Sequence, residues 1–277
     1  MTANPLSVDN SPRVSVVMAV NRIDAFLGSA MESVLNQTFK EFEFLIIVDA
    51  SCPGLISKVM EFGAGDDRIK ILTARLGGGL AFSLNMGIAE SKGEYIARMD
   101  GDDVSRLQRL QAQVQYLDEN PDVDVVGCRV QLIDANSEKV KRDYPYFKTN
   151  EQIRRVLPFR NPLPHPALMF RKRALLAVQG YKYGHHSEDH ELFIRMARNP
   201  KVRFYNLDQV LYEYRRHGLQ VTHADRMKWH YAEVSGFLYT EFLLTHSPKY
   251  LFGMFVIHPW IRRTRLAFRK WFTGSEL

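Results

Sequence analysis

The chain has 277 residues, 45% of them hydrophobic and 25% charged, which suits a globular protein with a real core, built as one large domain or a domain with an appendage. Its two cysteines, Cys52 and Cys128, exclude a disulfide framework and a cysteine-built metal knuckle; neither the opening MTANPLSVDNSPR nor any later apolar run reads as a signal peptide or a membrane span, so a reducing cytosol is the expected compartment. The net charge of +6 gathers toward the tail, at Arg262, Arg263, Arg265, Arg269 and Lys270, a basic patch that suits nucleic acid, anionic lipid or a phosphorylated substrate without choosing among them.

Residues 14–20 (VSVVMAV) are short, apolar and β-branched, which predicts a buried parallel strand. Residues 24–38 place Phe26, Leu27, Ala30, Val34 and Leu35 on one helical face. A second strand is expected over 43–48 and stops at Asp49-Ala-Ser-Cys-Pro-Gly, a run of turn residues. A helix at about 55–63 and a strand at 69–74 follow. Gly77-Gly78-Gly79 then opens a helix over roughly 80–92; the glycines lack the GxGxxG spacing and serve equally as a flexible loop. The next strand, 94–99, delivers Asp100-Gly-Asp-Asp103. This alternation with short connections implies an α/β fold with a parallel, doubly wound sheet and right-handed crossovers. Further helices are expected at 106–119, 150–157, 172–178, 189–198 and about 222–246, and strands at 123–133, 167–171, 202–205 and 209–215.

Asp100, Asp102 and Asp103 put three carboxylates within four residues. Such groups repel one another unless something positive sits among them, and a hard divalent cation with oxygen ligands is the natural partner. A solvated acidic turn is the plain alternative. Asp49 and Asp100 both fall at carboxyl ends of strands on one sheet edge, where open α/β sheets bind nucleotides and other ligands.

Four segments together resemble glycosyltransferase family 2: Ser33-Val-Leu-Asn-Gln-Thr-Phe39, the Leu84-Asn-Met-Gly-Ile-Ala block, Lys92-Gly-Glu-Tyr-Ile-Ala-Arg-Met-Asp-Gly-Asp-Asp103, and Ser187-Glu-Asp-His-Glu-Leu-Phe-Ile-Arg195. The resemblance runs in order from about Val14 to His217. It implies a GT-A fold, a Rossmann-like and mostly parallel sheet flanked by helices, with a C-terminal helical appendage. Residues 1–217 would be the catalytic domain, with a nucleotide-binding half at about 12–104 and an acceptor half at about 105–217. Residues 218–277 would form a helical, basic-aromatic extension. The implied activity is metal-dependent, inverting transfer of a sugar from a nucleoside-diphosphate sugar, with UDP the expected nucleotide, to a glycan or lipid-linked glycan acceptor in polysaccharide biosynthesis.

The resemblance also assigns roles. Asp102 would ligate Mn²⁺ or Mg²⁺ directly, and Asp100 would reach the ribose or the metal. Asp103 either supports that pair or caps the helix starting near Arg106. Asp189 would be the base that takes the acceptor hydroxyl proton, with Glu188 orienting acceptor or loop; both acids also suit the start of a helix. Asp49 would line the base and ribose pocket with Ala19 and Asn21. Arg215 and His217, in a YR-x-H-like segment, and more weakly Arg75 and Arg98, would face the donor diphosphate. Arg98 is also a natural ion-pair partner for the acids that follow it. His165, in an HP segment before a strand, reads as structural.

Two departures from the family pattern bear on the nucleotide. Ala50 stands where a second acid often faces uracil, and Ala19-Val20-Asn21-Arg22 replaces Pro-Val-Tyr-Asn, removing an aromatic stacking surface for which Asn21 and Arg22 can substitute hydrogen bonds. A Gln-x-x-Arg-Trp signature of processive members is absent. The tail over 250–272 mixes aromatics with arginines around His258-Pro259; it suits peripheral attachment to the inner face of the plasma membrane and equally suits packing on the core. The rival readings are a nucleotidyltransferase, a non-catalytic nucleotide-sugar-binding relative, and a nucleic-acid-binding module; the last is opposed by the acidic cluster, which repels a phosphate backbone.

Overall fold

The computed structural model describes residues 11–63, 65–75, 77–217, 227–258 and 261. In its first half, strands β1 (Val14–Val20), β2 (Phe42–Asp49), β3 (Ile69–Ala74) and β4 (Tyr95–Asp100) alternate with helices α1 (Leu27–Leu35), α2 (Leu55–Phe62) and α3 (Gly79–Glu90). The second half adds β5 (Val104–Ser105), α4 (Arg109–Glu119), β6 (Val125–Ile133), α5 (Asn150–Val156), β7 (Met169–Arg171), α6 (Lys172–Ala177), α7 (Glu188–Arg198), β8 (Phe204–Arg215), α8 (Met227–Thr245) and α9 (Pro248–Ile257).

All eight strands form one mixed sheet in the order β3-β2-β1-β4-β7-β6-β8-β5. Only β7 and β5 run against the rest. The near-continuous burial of β1 and β2 is what a parallel sheet covered on both faces requires. Strand order reverses between β1 and β4, so a crevice opens at their carboxyl ends. Two apolar clusters fill the faces. Met18, Phe44, Tyr95 and Met99 lie in one, and Val17, Leu45, Ile96 and Phe193 in the other. Gly87 lets α3 approach closely, since a Cβ there would fall 2.5 Å from the side chain of Val17.

Several boundaries differ from the sequence expectation, each for a local reason. Helix α1 starts at Leu27 because the Asp24 carboxylate accepts the N–H groups of Phe26 and Leu27, at 2.9 and 3.1 Å. Helix α4 begins three residues later than expected, because Val104 and Ser105 pair with β8. The two strands expected at 202–205 and 209–215 are one, β8, which passes the polar stretch 206–209 through an irregularity opposite Arg129. Helix α9 stops before Pro259, as residues preceding proline do. The beginning of the helix expected from 222 and the basic residues Arg262, Arg263, Arg265, Arg269 and Lys270 lie outside the described residues.

Gln37 explains part of the Ser33–Phe39 segment. Its fully buried amide donates to the carbonyls of Ser33, Ser105 and Arg106, and its oxygen accepts the N–H of Leu110 at 3.0 Å. One side chain thus ties the end of α1 to the chain that follows the acidic cluster. Replacing Gln37 with Leu removes the partner of the Leu110 N–H and of the Ser33 and Ser105 carbonyls, each loss costing about 1–3 kcal/mol, while the Arg106 carbonyl keeps the N–H of Arg109. Urea denaturation of Gln37→Leu is expected to show a loss of at least about 3 kcal/mol; a loss below about 1 kcal/mol would mean that this hub does not hold the loop.

Candidate active site

Side chains alternate faces along β4, so Tyr95, Ala97 and Met99 enter one core while Ile96, Arg98 and Asp100 turn to the other. Arg98 and Asp100 therefore meet as an ion pair at the strand's end, with the Arg98 side chain only 4% exposed. The chain turns at Gly101, and ligand oxygens of Asp100, Asp102 and Asp103 lie within 4.8 Å of one another. Asp102 accepts from His217 Nε2 at 3.0 Å and lies 3.9 Å from the Arg22 guanidinium. Asp103 is buried and accepts the backbone N–H of Arg215 at 2.8 Å.

Glu188 and Asp189 sit in the first turn of α7, where free N–H groups favour negative charge. Asp189 is held from two sides. Asn161 Nδ2 donates to it at 2.7 Å, and the backbone N–H of His190 donates to its other oxygen at 2.7 Å. Asn85, in the Leu84–Ala89 block, clamps both backbone groups of Tyr181, at 2.7 and 2.8 Å. Tyr181 in turn shares a 2.6 Å hydrogen bond with His165 Nε2. His165 is buried, and that burial, with Arg98 nearby, holds its pKa well below the ordinary value.

These elements enclose a cavity of about 500 Å³. Ala19, Asn21, Arg22 and Asp49 line one side, Arg98, Asp100 and Asp102 the floor, and His165, Glu188, Asp189 and Tyr214 the other side. Burial raises the pKa of Asp100; Arg98 opposes the shift and Asp102 adds to it. Burial and the two neighbouring acids push Asp103 well above the carboxylate range. Burial, reinforced by Asp189, lifts Glu188 to about 8. Asp189 is raised by burial against the N–H bond from His190. A cavity that carries this many acids has an unmet demand for positive charge. The all-oxygen donor set of Asp100, Asp102 and Asp103 fits a hard divalent cation.

Of the residues singled out in the sequence, Ala19, Asn21, Asp49, Asp100, Asp102, Glu188 and Asp189 meet in this one cavity. Arg75 and Arg215 do not line it. Arg75 is exposed and stacks over the Phe82 ring at 4.7 Å. Arg215 is buried behind the acidic turn; its guanidinium donates to the carbonyls of Asp102 and Asp134 and to Ser137 Oγ, at 2.9, 3.0 and 2.9 Å. His217 reaches Asp102, with its ring against Phe26. Sequence reasoning gave Asn161 and Tyr214 no role of their own. Nothing local marks Asn161, which comes to Asp189 from 28 residues away. For Tyr214 the alternation along β8 was the available signal.

Comparison with known proteins bears on the same residues. The model of Glycosyl transferase family 2 matches residues 15–178. The O-antigen biosynthesis glycosyltransferase WbnJ of Escherichia coli is 36% identical over 233 residues, covering 83% of this chain and 89% of the relative. A UDP-Gal:alpha-D-GlcNAc-diphosphoundecaprenol beta-1,3-galactosyltransferase of Escherichia coli is 25% identical over 249 residues, covering 85% and 89%. Among solved structures, the mannosyltransferase PcManGT of Pyrobaculum calidifontis, in complex with GDP-Man and Mn²⁺, is similar with a TM-score of 0.64 at 18% identity, over 96% of this chain and 77% of that one.

The elevated Glu188 carboxyl sets a pH dependence of stability. Near the ordinary value of 4.5 the unfolded chain begins to release a proton that the folded chain keeps up to about 8. Native stability therefore falls as pH rises through that window. Glu188→Gln removes the penalty. Its stability advantage over the native protein is expected to be near zero at about pH 4 and to grow toward about pH 8, reaching the order of a few kcal/mol. Thermal denaturation across that range checks it; an advantage independent of pH would show that Glu188 is ionised in the fold.

Proposed function

The chain belongs to glycosyl transferase family 2 and has the GT-A fold, and from that membership we propose that it moves one sugar per cycle from a nucleoside-diphosphate sugar to a glycan carried on a lipid diphosphate. The observation that carries this reading is the single cavity in which the acidic turn after β4 faces Glu188 and Asp189. Residues 12–104 form the donor half, 105–217 the acceptor half and 218–277 an extension.

In this reading Ala19, Asn21 and Asp49 receive the nucleoside, and UDP is the donor nucleotide. Asp100 and Asp102, with Asp103 beside them, would hold Mn²⁺ or Mg²⁺, which when bound supplies Lewis-acid stabilisation of the departing diphosphate. Asp189 takes the proton of the acceptor hydroxyl as that oxygen forms its bond to the anomeric carbon. The bond from that carbon to the diphosphate oxygen breaks, with inversion. Burial makes Asp189 a stronger base than a solvated aspartate, and Asn161 with the His190 N–H fixes its orientation. Arg98 holds Asp100 and keeps a fixed positive charge beside the acids. His217 and Arg22 position Asp102. Arg215 acts on the same turn through its carbonyl. The relative of known acceptor acts on a diphosphoundecaprenol-linked sugar, and another is named for O-antigen biosynthesis. Both support a role in polysaccharide assembly.

Calorimetry with UDP, GDP, CDP and dTDP, with and without Mn²⁺, tests the donor site. One nucleotide is expected to bind in a Mn²⁺-dependent way and to lose that binding in Asp102→Ala. Failure of all four to bind the folded protein would sink the assignment. Asp189→Asn should keep the nucleotide affinity within about threefold while kcat falls by about 10²–10⁴. A variant with near-native kcat would remove Asp189 as the base.

A further inference from the structure

Helices α8 and α9 carry an outward face that the transfer reaction leaves unexplained. On α8, Val234, Leu238 and Glu241 are buried against the protein, Glu241 paired with Arg198. The opposite stripe carries Trp229, Tyr239, Leu243 and Leu244. On α9, Tyr250 and Gly253 face inward, and Phe252 and Phe255 face out. A Cβ at Gly253 would lie 2.3 Å from the Pro158 carbonyl, so α9 sits tightly on the body of the protein. The six outward side chains are 49 to 66% exposed, an unusual density of aromatic and aliphatic surface on adjacent helices.

Charge indicates the partner. Residues 242–277 hold six lysines and arginines and one acid, Glu276, so this segment supplies +5 of the chain's net +6. A chain that runs from an exposed aromatic face directly into a strongly basic sequence suits an anionic bilayer, where aromatic rings sit at headgroup level and basic groups meet lipid phosphates. No helix among the described residues is long and apolar enough to cross a membrane. The surface therefore suits lying on a bilayer.

We propose that the α8–α9 face docks on an anionic lipid surface and that this docking sets the acceptor side of the cavity against the membrane. The second half follows from the contacts of α8. Glu233 accepts the backbone N–H groups of His185 and His186, at 3.0 and 3.1 Å, and His230 Nδ1 shares a 2.7 Å hydrogen bond with Ser187 Oγ. His185 and His186 line the cavity, and Ser187 directly precedes Glu188 and Asp189. The helix that presents the apolar face is thus the helix that grips the acceptor-side loop. The inference rests on the lipid-linked acceptor reading and names the surface on which that acceptor is met.

Vesicle flotation without nucleotide tests the docking separately from the chemistry. The full chain should float with phosphatidylglycerol-rich vesicles, weakly with phosphatidylcholine vesicles, and less in high salt. The triple variant Leu243→Ser, Leu244→Ser, Phe255→Ser should lose about tenfold or more in partitioning. Its circular dichroism and its Mn²⁺-dependent binding of UDP should match the native protein. Native-like flotation of the triple variant, or a native protein that ignores anionic vesicles, overturns the proposal. A native dimer in light scattering that the triple variant disperses would assign the face to a second copy and overturn it too. Failure of both proteins to bind any of UDP, GDP, CDP and dTDP, with flotation intact, would strike the transferase reading and leave the docking face standing.

Discussion

Six carboxylates, Asp24, Asp49, Asp100, Asp102, Glu188 and Asp189, line one cavity, with Asp103 buried beside it, and the rest of the site is arranged around that crowding. Like charges so close, and partly withdrawn from water, cannot all ionise freely; burial drives the proton affinities of Asp100, Asp103, Glu188 and Asp189 upward. The protein meets this with guanidinium groups of two kinds. Arg98 pairs directly with Asp100. Arg109 and Arg215 are buried nearby but direct donors to main-chain carbonyls, Arg109 to Arg98 and Leu168, Arg215 to Asp102 and Asp134. The backbone of the acidic turn is thereby fixed while much of its negative charge is left for a ligand. A cation that enters relieves repulsion already present in the fold, which is the condition for tight and site-specific binding.

The position of that cavity follows from sheet topology. Strands β1 and β4 lie side by side while their connections diverge, and the cavity opens at their carboxyl ends. The motif-like segments outside the cavity act as its frame. Gln37 anchors the chain after the acidic turn, and Asn85 anchors Tyr181 and through it His165. Neither touches the space where a substrate would sit. Both are main-chain clamps, and a clamp that satisfies buried backbone groups is as hard to replace as a ligand-binding residue.

The first half of the chain was legible in the sequence because buried parallel strands write themselves as near-continuous apolar runs, as β1 and β2 do with only Ser15 and Glu43 interrupting. The second half was less so. Two-residue β5 has no periodicity to detect, and the polar interruption of β8 looks like a loop until a neighbouring strand with a matching irregularity is in view. Among site residues, parity decided what could be read. Tyr214 and Arg215 are adjacent on one strand, so only one of them can face the cavity, and a motif match gives position along the chain without giving the face. Asn161 illustrates a different limit, because its partner Asp189 is brought to it by packing of α7.

The family match ends at residue 178, ahead of the α7 acids and of α8. The chain from Asp49 to the acidic turn lies inside the matched segment. The loop of His185, His186 and Ser187 is held by Glu233 and His230 from α8, outside it. Orientation of Asp189 therefore has two sources. Asn161 fixes its carboxylate directly, while α8 fixes the backbone that leads into its helix. Movement of α8 relative to the sheet would shift the start of α7 and leave β4 untouched. In the proposed reading the donor geometry is set by the sheet and the acceptor geometry by the helical layer, so the two can be tuned separately, and a surface event on α8 has a short covalent and hydrogen-bonded path to Glu188 and Asp189.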